Sequence, residues 1–540
     1  MRARGYATRS RGHGRRPRRR GLGRFAAAVL LLCTACTSGG GAGPSAVPPP
    51  GATSAGAGTP RVLRVATASD VSIGPVRERL IEAWDRQRDD YTVEIVKLPA
   101  AADEVRSQLI AALQSGSADY DVVNIDVTWT AEFAAGGLIR PLAGELPEDI
   151  WPSVAATTRY DGRTWAVPFN TDAALLYYRT DIWRDRDWRP PRTWAELEED
   201  VAEARDPERV TRRFEDGYIT QLGPYEGLTV NALEAVWARG GRFVGEDGEV
   251  TADSVEVRYG LDNLYRQYRD LMPRALARRA DEHDSLAAFR DGKVPFMRNW
   301  PYVYNILAAE GSRLKGRFGV VALPGQGDGK PGTSVLGGQN LAITTRSEHS
   351  AAARELLAYL TEPAQQRCLL DVGFAPVLRS SYDPSGDPVR CSLPPDGDGG
   401  ADAPGDPEHP AGGTDGGTDS GSADGGNGDG GDRDGPAGTG GSAGRGRAAD
   451  RTADAEPAAG ADGAAGESGA AAPDPGRLPV YAAPLRQALA AARPRPVTPY
   501  YAAFTELIQS EVHAMLLHGG NRDALPRRLA EQLGPVLRGG

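Results

Sequence analysis

The chain has 540 residues, of which 40% are hydrophobic, and a formal net charge of −10 at pH 7. One compact domain rarely exceeds about 250–300 residues, so this length excludes a one-domain protein and predicts at least two lobes. The 68 Gly and 41 Pro are too many for a chain that is folded throughout, so part of it is predicted to be unstructured.

The start of the chain is basic. Residues 2–24 contain ten Arg and no Asp or Glu, and the apolar run Phe25–Leu32 follows them. A basic region before an apolar run too short to span a bilayer is typical of a secretory signal, so we expect export from the cytoplasm. A nucleic-acid-binding or nuclear-localisation patch is the alternative for the Arg residues, but the apolar run behind them favours the signal.

Two cysteines end this region, in Leu32-Cys-Thr-Ala-Cys36-Thr-Ser-Gly-Gly40. The segment resembles a bacterial lipobox with Cys36 as the lipidated residue, although Cys33 stands where Leu is preferred. Cys33 and Cys36 also form a CxxC, which elsewhere indicates a redox or zinc site. The resemblance implies a signal at 1–35, a flexible tether at 36–60, and acyl chains such as palmitate that anchor the protein to the outer face of the cytoplasmic membrane.

The first part of the body alternates strands with helices. Val62–Thr67, Val93–Leu98 and Asp121–Asp126 have strand patterns, and apolar residues at helical spacing lie between them. This β-α-β-α-β order predicts a parallel sheet with helices on its faces. Ligands bind beyond the carboxyl ends of such strands, and Asp126 stands at one of those ends.

A second α/β region runs from about Asn170 to Leu323. It opens with the buried strand Ala173–Tyr178, and Thr193–Glu196 fits a capping box at the start of a helix. Gln339–Ile343 then returns as a strand, and Ser350–Leu360 follows as a helix. The sequence therefore predicts a second lobe and a return to the first.

Residues 394–475 differ from the rest of the chain. They are nearly all Gly, Ala, Asp, Pro, Ser and Thr, with 17 acidic residues and four Arg. Such a segment cannot bury a core, so we expect a disordered acidic insertion; weak calcium or cell-wall association is the alternative. Leu478–Leu489 and an apolar stripe from Tyr501 to Val512 resume the helical pattern.

Seven short segments occur in an order that resembles extracellular solute-binding proteins of carbohydrate ABC importers, of the maltose- and trehalose-binding type. The resemblance covers about residues 61–385 and 478–535. The segments are Asp121–Trp129, Ala166–Asn170, Leu176–Trp183, Pro191–Leu197, Tyr225–Leu228, Ala288–Met297 and Leu336–Ile343.

The resemblance implies an α/β, two-lobed periplasmic-binding-protein-like fold of type II, with three hinge crossings and the acidic insertion. By analogy the chain crosses near Val167–Asn170, Leu323–Gly332 and Val377–Pro384. The N-terminal lobe is then 61–168 plus 333–380, and the C-terminal lobe is 169–332 plus 381–393 and 476–540.

Sugar capture between such lobes selects the candidate site residues, because a sugar ring offers apolar faces for aromatic stacking and hydroxyls for polar groups. Each aromatic could instead be core, and each carboxylate a cap or a solvated charge. The stacking candidates are Trp129, Phe169, Tyr225 and Trp300; the hydrogen-bonding candidates are Asp70, Asp126, Asn170, Asp172, Glu226 and Gln339; Gly337 and Gly338 would bring backbone amides close to the ligand.

The resemblance further implies a monomeric binding protein that is not an enzyme, with no cofactor, metal or nucleic acid. Its partners would be a di- or oligosaccharide and the transmembrane permease subunits of an importer whose ATPase is a separate chain. His513 and His518 are five residues apart and do not face one another as metal ligands on a helix would. A binding protein for a peptide, polyol or chelate, and a secreted glycoside hydrolase, remain as alternatives.

Cys368 and Cys391 flank the third proposed crossing. Because exported proteins meet oxidising conditions, this pair is predicted to form a disulfide.

Overall fold

The computed structural model describes residues 60–68, 74–99, 102–117, 119–327, 329–384, 389–393 and 477–539. The predicted signal, Cys36, Asp70 and the acidic segment 394–475 lie outside these residues. Among the residues that are described, no helix combines the length and apolar character needed to cross a membrane.

The described strands form two main sheets and a small hairpin. They are β1 (Arg61–Ala68), β2 (Tyr91–Leu98), β3 (Val122–Asp126), β4 (Arg159–Tyr160), β5 (Arg163–Thr164), β6 (Val167–Ala173), β7 (Leu175–Arg179), β8 (Tyr218–Ile219), β9 (Phe296–Asn299), β10 (Phe318–Ala322) and β11 (Leu336–Ile343).

Helices connect and cover these strands. They are α1 (Val76–Asp85), α2 (Ala102–Ser115), α3 (Thr130–Ala135), α4 (Pro152–Ala156), α5 (Trp194–Ala204), α6 (Glu226–Trp237), α7 (Val255–Leu271), α8 (Arg274–Ala277), α9 (Glu282–Arg290), α10 (Val303–Ala308), α11 (Ser350–Leu360), α12 (Pro363–Asp371), α13 (Ala482–Ala491), α14 (Tyr501–His518) and α15 (Leu525–Leu537), with a 3-10 turn at Arg379–Tyr382.

The first lobe is built on a five-stranded sheet in the order β2-β1-β3-β11-β6. β1 pairs in parallel with β2 and β3, as the strand-helix alternation predicts. β11 pairs antiparallel with β3 and β6. α1 buries Leu80, Ile81 and Trp84 against this sheet, together with Leu356 and Leu360 of α11. Apolar residues at helical spacing thus supply the layer that covers the sheet.

The second lobe is built on a four-stranded sheet in the order β10-β7-β9-β8. Its helices include α6 and α7, on which α14 and α15 pack. α5 begins at the predicted capping box, in which Thr193 Oγ1 accepts from Glu196 N at 3.1 Å and Glu196 Oε2 accepts from Thr193 N at 3.1 Å. The predicted two-lobed α/β fold is confirmed.

The chain passes between the sheets at positions that differ from the predicted ones. The first crossing lies at Ala174 and not at Val167–Asn170, because residues 167–173 still pair with β11. Residues 169–173 therefore belong to the first sheet, although the sequence placed them in the second lobe. The return crossing lies between β10 and β11, where Ser334 Oγ accepts a hydrogen bond from Ala174 N at 2.8 Å.

A third segment, between α13 and α14, runs beside the return crossing. Arg493 N donates to Ser334 O at 3.0 Å, and Leu336 N donates to Arg493 O at 2.8 Å. These backbone bonds place the residues after Arg493 next to the gap between the two sheets.

Cys368 of α12 and Cys391 are joined by a disulfide, with their Cα atoms 4.5 Å apart. Leu393, two residues after Cys391, is buried in the same core cluster as Leu63 of β1 and Leu369 of α12. Residues 391–393 therefore pack on the first lobe, whereas the sequence assigned 381–393 to the second.

Candidate ligand-binding site

Polar side chains of the first lobe collect where β3, β11 and β6 lie side by side. In the register of these strands, Gln339 of β11 stands opposite Asp126 of β3 on one side and Asn170 of β6 on the other. Asp172 pairs with Gly337 two positions along. Because alternate residues of a strand share a face, Asn170 and Asp172 lie on the same side of β6.

Two glycines of β11 keep this surface open. Gly338 has φ +111°, and a Cβ added there would lie 2.3 Å from Asn170 O, so that only glycine fits. A Cβ added at Gly337 would lie 3.2 Å from the Cβ of Asp172 and 3.5 Å from Cζ3 of Trp300. Gly337 therefore leaves space between a carboxyl of the first lobe and an indole of the second.

Burial raises the pKa of Asp172 to about 8; nearby Arg77 lowers it and the charge of Asp126 raises it. A guanidinium and carboxyl groups thus share this edge of the sheet. Arg77 donates a hydrogen bond to Gln339 Oε1, which also accepts from Asn124 Nδ2 at 3.1 Å. The amide of Gln339 is consequently held in one orientation.

The second lobe contributes aromatic side chains gathered around Glu282, at the first turn of α9. Trp300 Nε1 donates to Glu282 Oε1 at 3.1 Å, and Tyr225 Oη donates to Glu282 Oε2 at 2.7 Å. Burial, followed by the charge of Glu282, raises the pKa of both Tyr225 and Tyr302. One carboxylate therefore positions an indole and a phenol, with a second phenol close to it.

Arg495 joins the two lobes. Its side chain is buried, and Nη1 donates to Glu226 Oε1 at 2.7 Å while Nη2 donates to Asp126 Oδ1 at 3.0 Å. Burial lowers the pKa of Arg495, but Asp126, Tyr501 and Glu226 outweigh it, so the pKa is raised. The guanidinium thus remains charged between a first-lobe and a second-lobe carboxylate.

Glu226, at the start of α6, is itself surrounded by donors. Its carboxylate accepts from Tyr501 Oη at 2.5 Å and from Thr505 Oγ1 at 2.6 Å, in addition to Arg495. Burial raises the pKa of Glu226, and these three partners counteract the shift. Asp126 Oδ1 also accepts from Thr128 N at 2.9 Å. Both carboxylates are therefore fixed, and the bridge through Arg495 has a defined geometry.

Most of the sequence-predicted residues lie where the first-lobe strands β3, β11 and β6 face the second-lobe aromatic residues around Glu282. We call this region the cleft. Asp126 and Glu226 meet through Arg495. Asp172, Gly337 and Trp300 adjoin one another, and Tyr225 reaches Trp300 through Glu282. Asn170, Gly338 and Gln339 lie on the adjoining strands β6 and β11. Within the described part of the chain, Oδ1 of Asn170 is buried without a hydrogen-bond partner.

Two predicted stacking residues lie elsewhere. Trp129 is 7% exposed and stacks on Phe133 in the core under the first sheet. Phe169 is 1% exposed and belongs to the same first-lobe core cluster as Leu341 and Phe374. Both rings are part of first-lobe core clusters, and their role in stacking on a ligand stays a prediction. Asp70 lies outside the described residues.

Sequence reasoning missed Arg495, Glu282 and Arg77. Arg495 stands between two prolines after the acidic segment, and nothing local indicates that it is buried. Glu282 follows Asp281, the N-cap of α9, and an acidic residue in a first helical turn is explained by the helix dipole alone. Their roles depend on contacts between segments that are distant in the sequence.

A family model for bacterial extracellular solute-binding proteins matches residues 69–367. A probable ABC transporter-binding protein of Deinococcus radiodurans is 31% identical over 308 residues, which cover 56% of this chain and 72% of the relative. The arabinooligosaccharide-binding protein of Halalkalibacterium halodurans is 23% identical over 319 residues, covering 57% and 69%.

Solved structures support the fold. The maltose-bound MalE3 protein of T. maritima has a TM-score of 0.64 and 24% identity, covering 88% of this chain and all of the neighbour. The GacH receptor of Streptomyces glaucescens, solved without ligand and with acarbose, has a TM-score of 0.61 and 18% identity over 89% of this chain. Because the family model matches more than half of its length, this chain belongs to the bacterial extracellular solute-binding proteins.

Proposed function

We propose that this protein captures a sugar, specifically a di- or oligosaccharide, between its two lobes and delivers it to the permease of an ABC importer. The observation that carries this proposal is the composition of the cleft. Trp300 and Tyr225 supply aromatic surface from the second lobe, while Asp172, Asn170 and Gln339 supply hydrogen-bonding groups from the first.

This combination suits a sugar for a physical reason. The ring of a sugar has apolar C–H faces, which stack on an indole, and a belt of hydroxyls, each of which must find a new partner when it leaves water. A buried hydroxyl without a partner costs about 1–3 kcal/mol. Carboxylates and amides from two lobes can satisfy hydroxyls on both sides of the ligand.

The relatives include sugar-binding proteins and one polyol-binding protein. Beside the arabinooligosaccharide-binding and maltose-bound proteins, a mannitol-binding protein of Pseudomonas aeruginosa is 26% identical over 171 residues, which cover 30% of this chain and 38% of that relative. A polyol is therefore the second candidate, since it offers hydroxyls without a rigid ring.

The proposed cycle has three steps. The ligand binds one lobe while the cleft is open, the lobes close about the crossings at Ala174 and Ser334, and the closed protein docks on two transmembrane subunits. ATP hydrolysis in separate cytosolic subunits then drives release into the importer. The proposed lipid on Cys36 keeps the binding protein, as a monomer, at the outer face of the cytoplasmic membrane.

Lipidation is tested separately from binding. Detergent-phase extraction and mass analysis of the exported protein should find a diacyl modification at Cys36. The Cys36→Ala variant should leave the membrane fraction and keep its affinity for ligand. An unmodified Cys36 in the wild-type protein, isolated from its own membrane, contradicts the anchor.

Titration calorimetry tests the ligand class. The panel is maltose, trehalose, cellobiose, arabino-oligosaccharides, mannitol and ribitol, and we expect saturable heat with at least one sugar. Saturation with mannitol or ribitol alone would favour the polyol. A glycoside hydrolase would instead release chromophore from nitrophenyl glycosides and lose this activity when Glu282 or Asp172 is replaced; turnover of that kind contradicts the binding role.

A further inference from the structure

Trp300 rests on a buried guanidinium. Arg298, two residues earlier on β9, is 1% exposed, and its Cζ lies 4.2 Å from the centroid of the indole ring. A cation above one face of an indole is attracted to the ring, which leaves the other face for a ligand. Arg298 therefore acts as the support of the proposed stacking surface.

Glu234 of α6 fixes Arg298. The guanidinium donates from Nη2 to Glu234 Oε1 at 2.8 Å and from Nε to Glu234 Oε2 at 3.2 Å, and from Nη1 to Gln221 Oε1 at 3.0 Å. Burial lowers the pKa of Arg298, but Glu234 outweighs it, so the pKa is raised and the charge persists. The paired bonds restrict both the position and the plane of the guanidinium.

The same carboxylate contacts the return crossing between the lobes. Glu234 Oε1 accepts from Val335 N at 3.0 Å and lies 3.3 Å from Ser334 Oγ, which in turn accepts from Ala174 N in the first crossing. A cavity of about 30 Å³ is lined by Glu234 and Arg298 together with Gly332 and Thr333. Glu234 thus lies between the hinge backbone and the support of Trp300.

We propose that Glu234 and Arg298 are positioning residues that couple the inter-lobe crossing to the orientation of the Trp300 ring. This inference rests on the proposed function, in which Trp300 contacts the ligand. When the backbone at Ser334 and Val335 rotates during closure, it displaces the carboxylate of Glu234. That carboxylate accepts two hydrogen bonds from Arg298, so the guanidinium moves as well and shifts the Trp300 ring that lies on it. A buried pair serving stability alone could be replaced by apolar groups without loss.

Fluorine NMR of protein labelled with 5-fluorotryptophan tests the coupling without any ligand. The Trp300 resonance is assigned from its absence in Trp300→Phe. In Glu234→Gln and Arg298→Met, that resonance should shift and broaden while the resonances of Trp84 and Trp188 stay in place. Ser334→Ala, which keeps the ion pair and removes only a hinge hydroxyl, should shift it to a lesser extent.

Arg522 offers a matched control. It pairs with Asp262 at 2.8 Å and lies 4.4 Å above the ring of Tyr265, so it repeats the ion pair and the ring contact of Arg298 at a partly exposed position of the second lobe. Arg522→Met should leave the Trp300 resonance unchanged. The proposal is overturned if the Trp300 resonance does not move in Ser334→Ala and does not move in those of Glu234→Gln and Arg298→Met that fold. If neither of these two folds, an unmoved resonance in Ser334→Ala is sufficient to overturn it.

Binding kinetics with maltose as the probe give the second readout. In Glu234→Gln, dissociation should be at least tenfold faster with association nearly unchanged, because a disoriented indole weakens the stacking contact that retains the ligand after closure and leaves entry into the open cleft unaffected. If the wild-type protein does not bind maltose, the sugar assignment is weakened, whereas the fluorine result still decides the coupling.

Discussion

The two sides of the cleft are built differently. The first lobe presents short polar side chains, such as Asp126, Asp172 and Gln339, directly from neighbouring strands of one sheet. The second lobe presents Trp300 and Tyr225, whose positions depend on Glu282 and Arg298 behind them. Backbone pairing sets the spacing of the groups on the first side, whereas side-chain contacts between separate elements set the positions of the rings on the second.

The two sides should therefore respond differently to substitution. A substitution on the strands changes one hydrogen-bonding group and leaves its neighbours in register. A substitution in the networks of the second lobe displaces several groups together, because one carboxylate serves more than one partner. Arg495 belongs to both sides, since it contacts Asp126 and Glu226.

Replacement of Arg495 should have the largest effect. Arg495→Met leaves two partly buried carboxylates without their common cation, and breaking a buried ion pair by removing one partner costs about 3–5 kcal/mol. Urea unfolding should show this loss, and the radius of gyration should rise as the lobes part. Arg179→Met breaks a comparable buried pair with Asp181 within the second lobe and should lower stability without opening the cleft. A loss below about 1 kcal/mol for Arg495→Met contradicts the bridge.

Gly338 tests how rigid the first side is. Gly338→Ala imposes a side chain at φ +111° and against Asn170 O, and we expect thermal unfolding to record a loss of at least about 1–3 kcal/mol. Gly137→Ala, at φ +65° with no atom within 4 Å of the added carbon, isolates the backbone contribution and should cost less. Equal losses in the two variants would mean that the close approach of β6 has no energetic role.

Trp300 tests the stacking surface of the second side. Trp300→Leu keeps an apolar side chain and loses the ring, and affinity for the best ligand of the panel should fall about 10- to 100-fold, which corresponds to about 1.4–2.8 kcal/mol. The control is Trp188→Leu, since Trp188 stacks on Trp183 at 4.4 Å elsewhere in the second lobe. That control should lower the melting temperature and keep the affinity. Unchanged affinity in Trp300→Leu removes Trp300 from the site.

Asp172 gives the effect with the smallest lower bound, and this effect depends on pH. Its pKa is about 8 in the folded protein and about 3.9 in an unfolded chain. The folded state therefore binds more protons between these values, so the free energy of unfolding falls as pH rises from about 4 to about 8. Asp172→Asn removes this fall.

The variant and the wild-type protein should have similar stability at pH 4. At pH 9 Asp172→Asn should be the more stable by at least about 1 kcal/mol, since each unit of pKa shift corresponds to about 1.4 kcal/mol. Thermal unfolding across this pH range makes the comparison. Parallel stability curves for the two proteins would show that Asp172 titrates normally.

The sequence predicted the first side of the cleft better than the second. The β-α-β-α-β order places Asp126 at a strand end without further information, because parallel strands align their carboxyl ends. For Trp129 and Phe169, on the same side, the sequence could not decide between the core and the cleft. An aromatic ring beside polar residues can face either the core or the cleft, and only the packing of Phe133 or Phe374 decides.

The second side depends on contacts that no local pattern reveals. Arg495 reaches Asp126 across 369 residues of sequence, and the intervening acidic segment hides their proximity. Glu234 lies within α6, and nothing in the sequence of that helix distinguishes it from an ordinary helical glutamate. Its partners are identifiable only once β9 and the return crossing are placed beside that helix.

Small-angle X-ray scattering with increasing sugar tests the central claim most directly, namely that two lobes close around a hydroxyl-rich solute. For the sugar that gives saturable heat, we predict a decrease in the radius of gyration that saturates at the same concentration in the wild-type protein. A constant radius of gyration at saturating concentrations of every sugar and polyol in the panel would contradict the account.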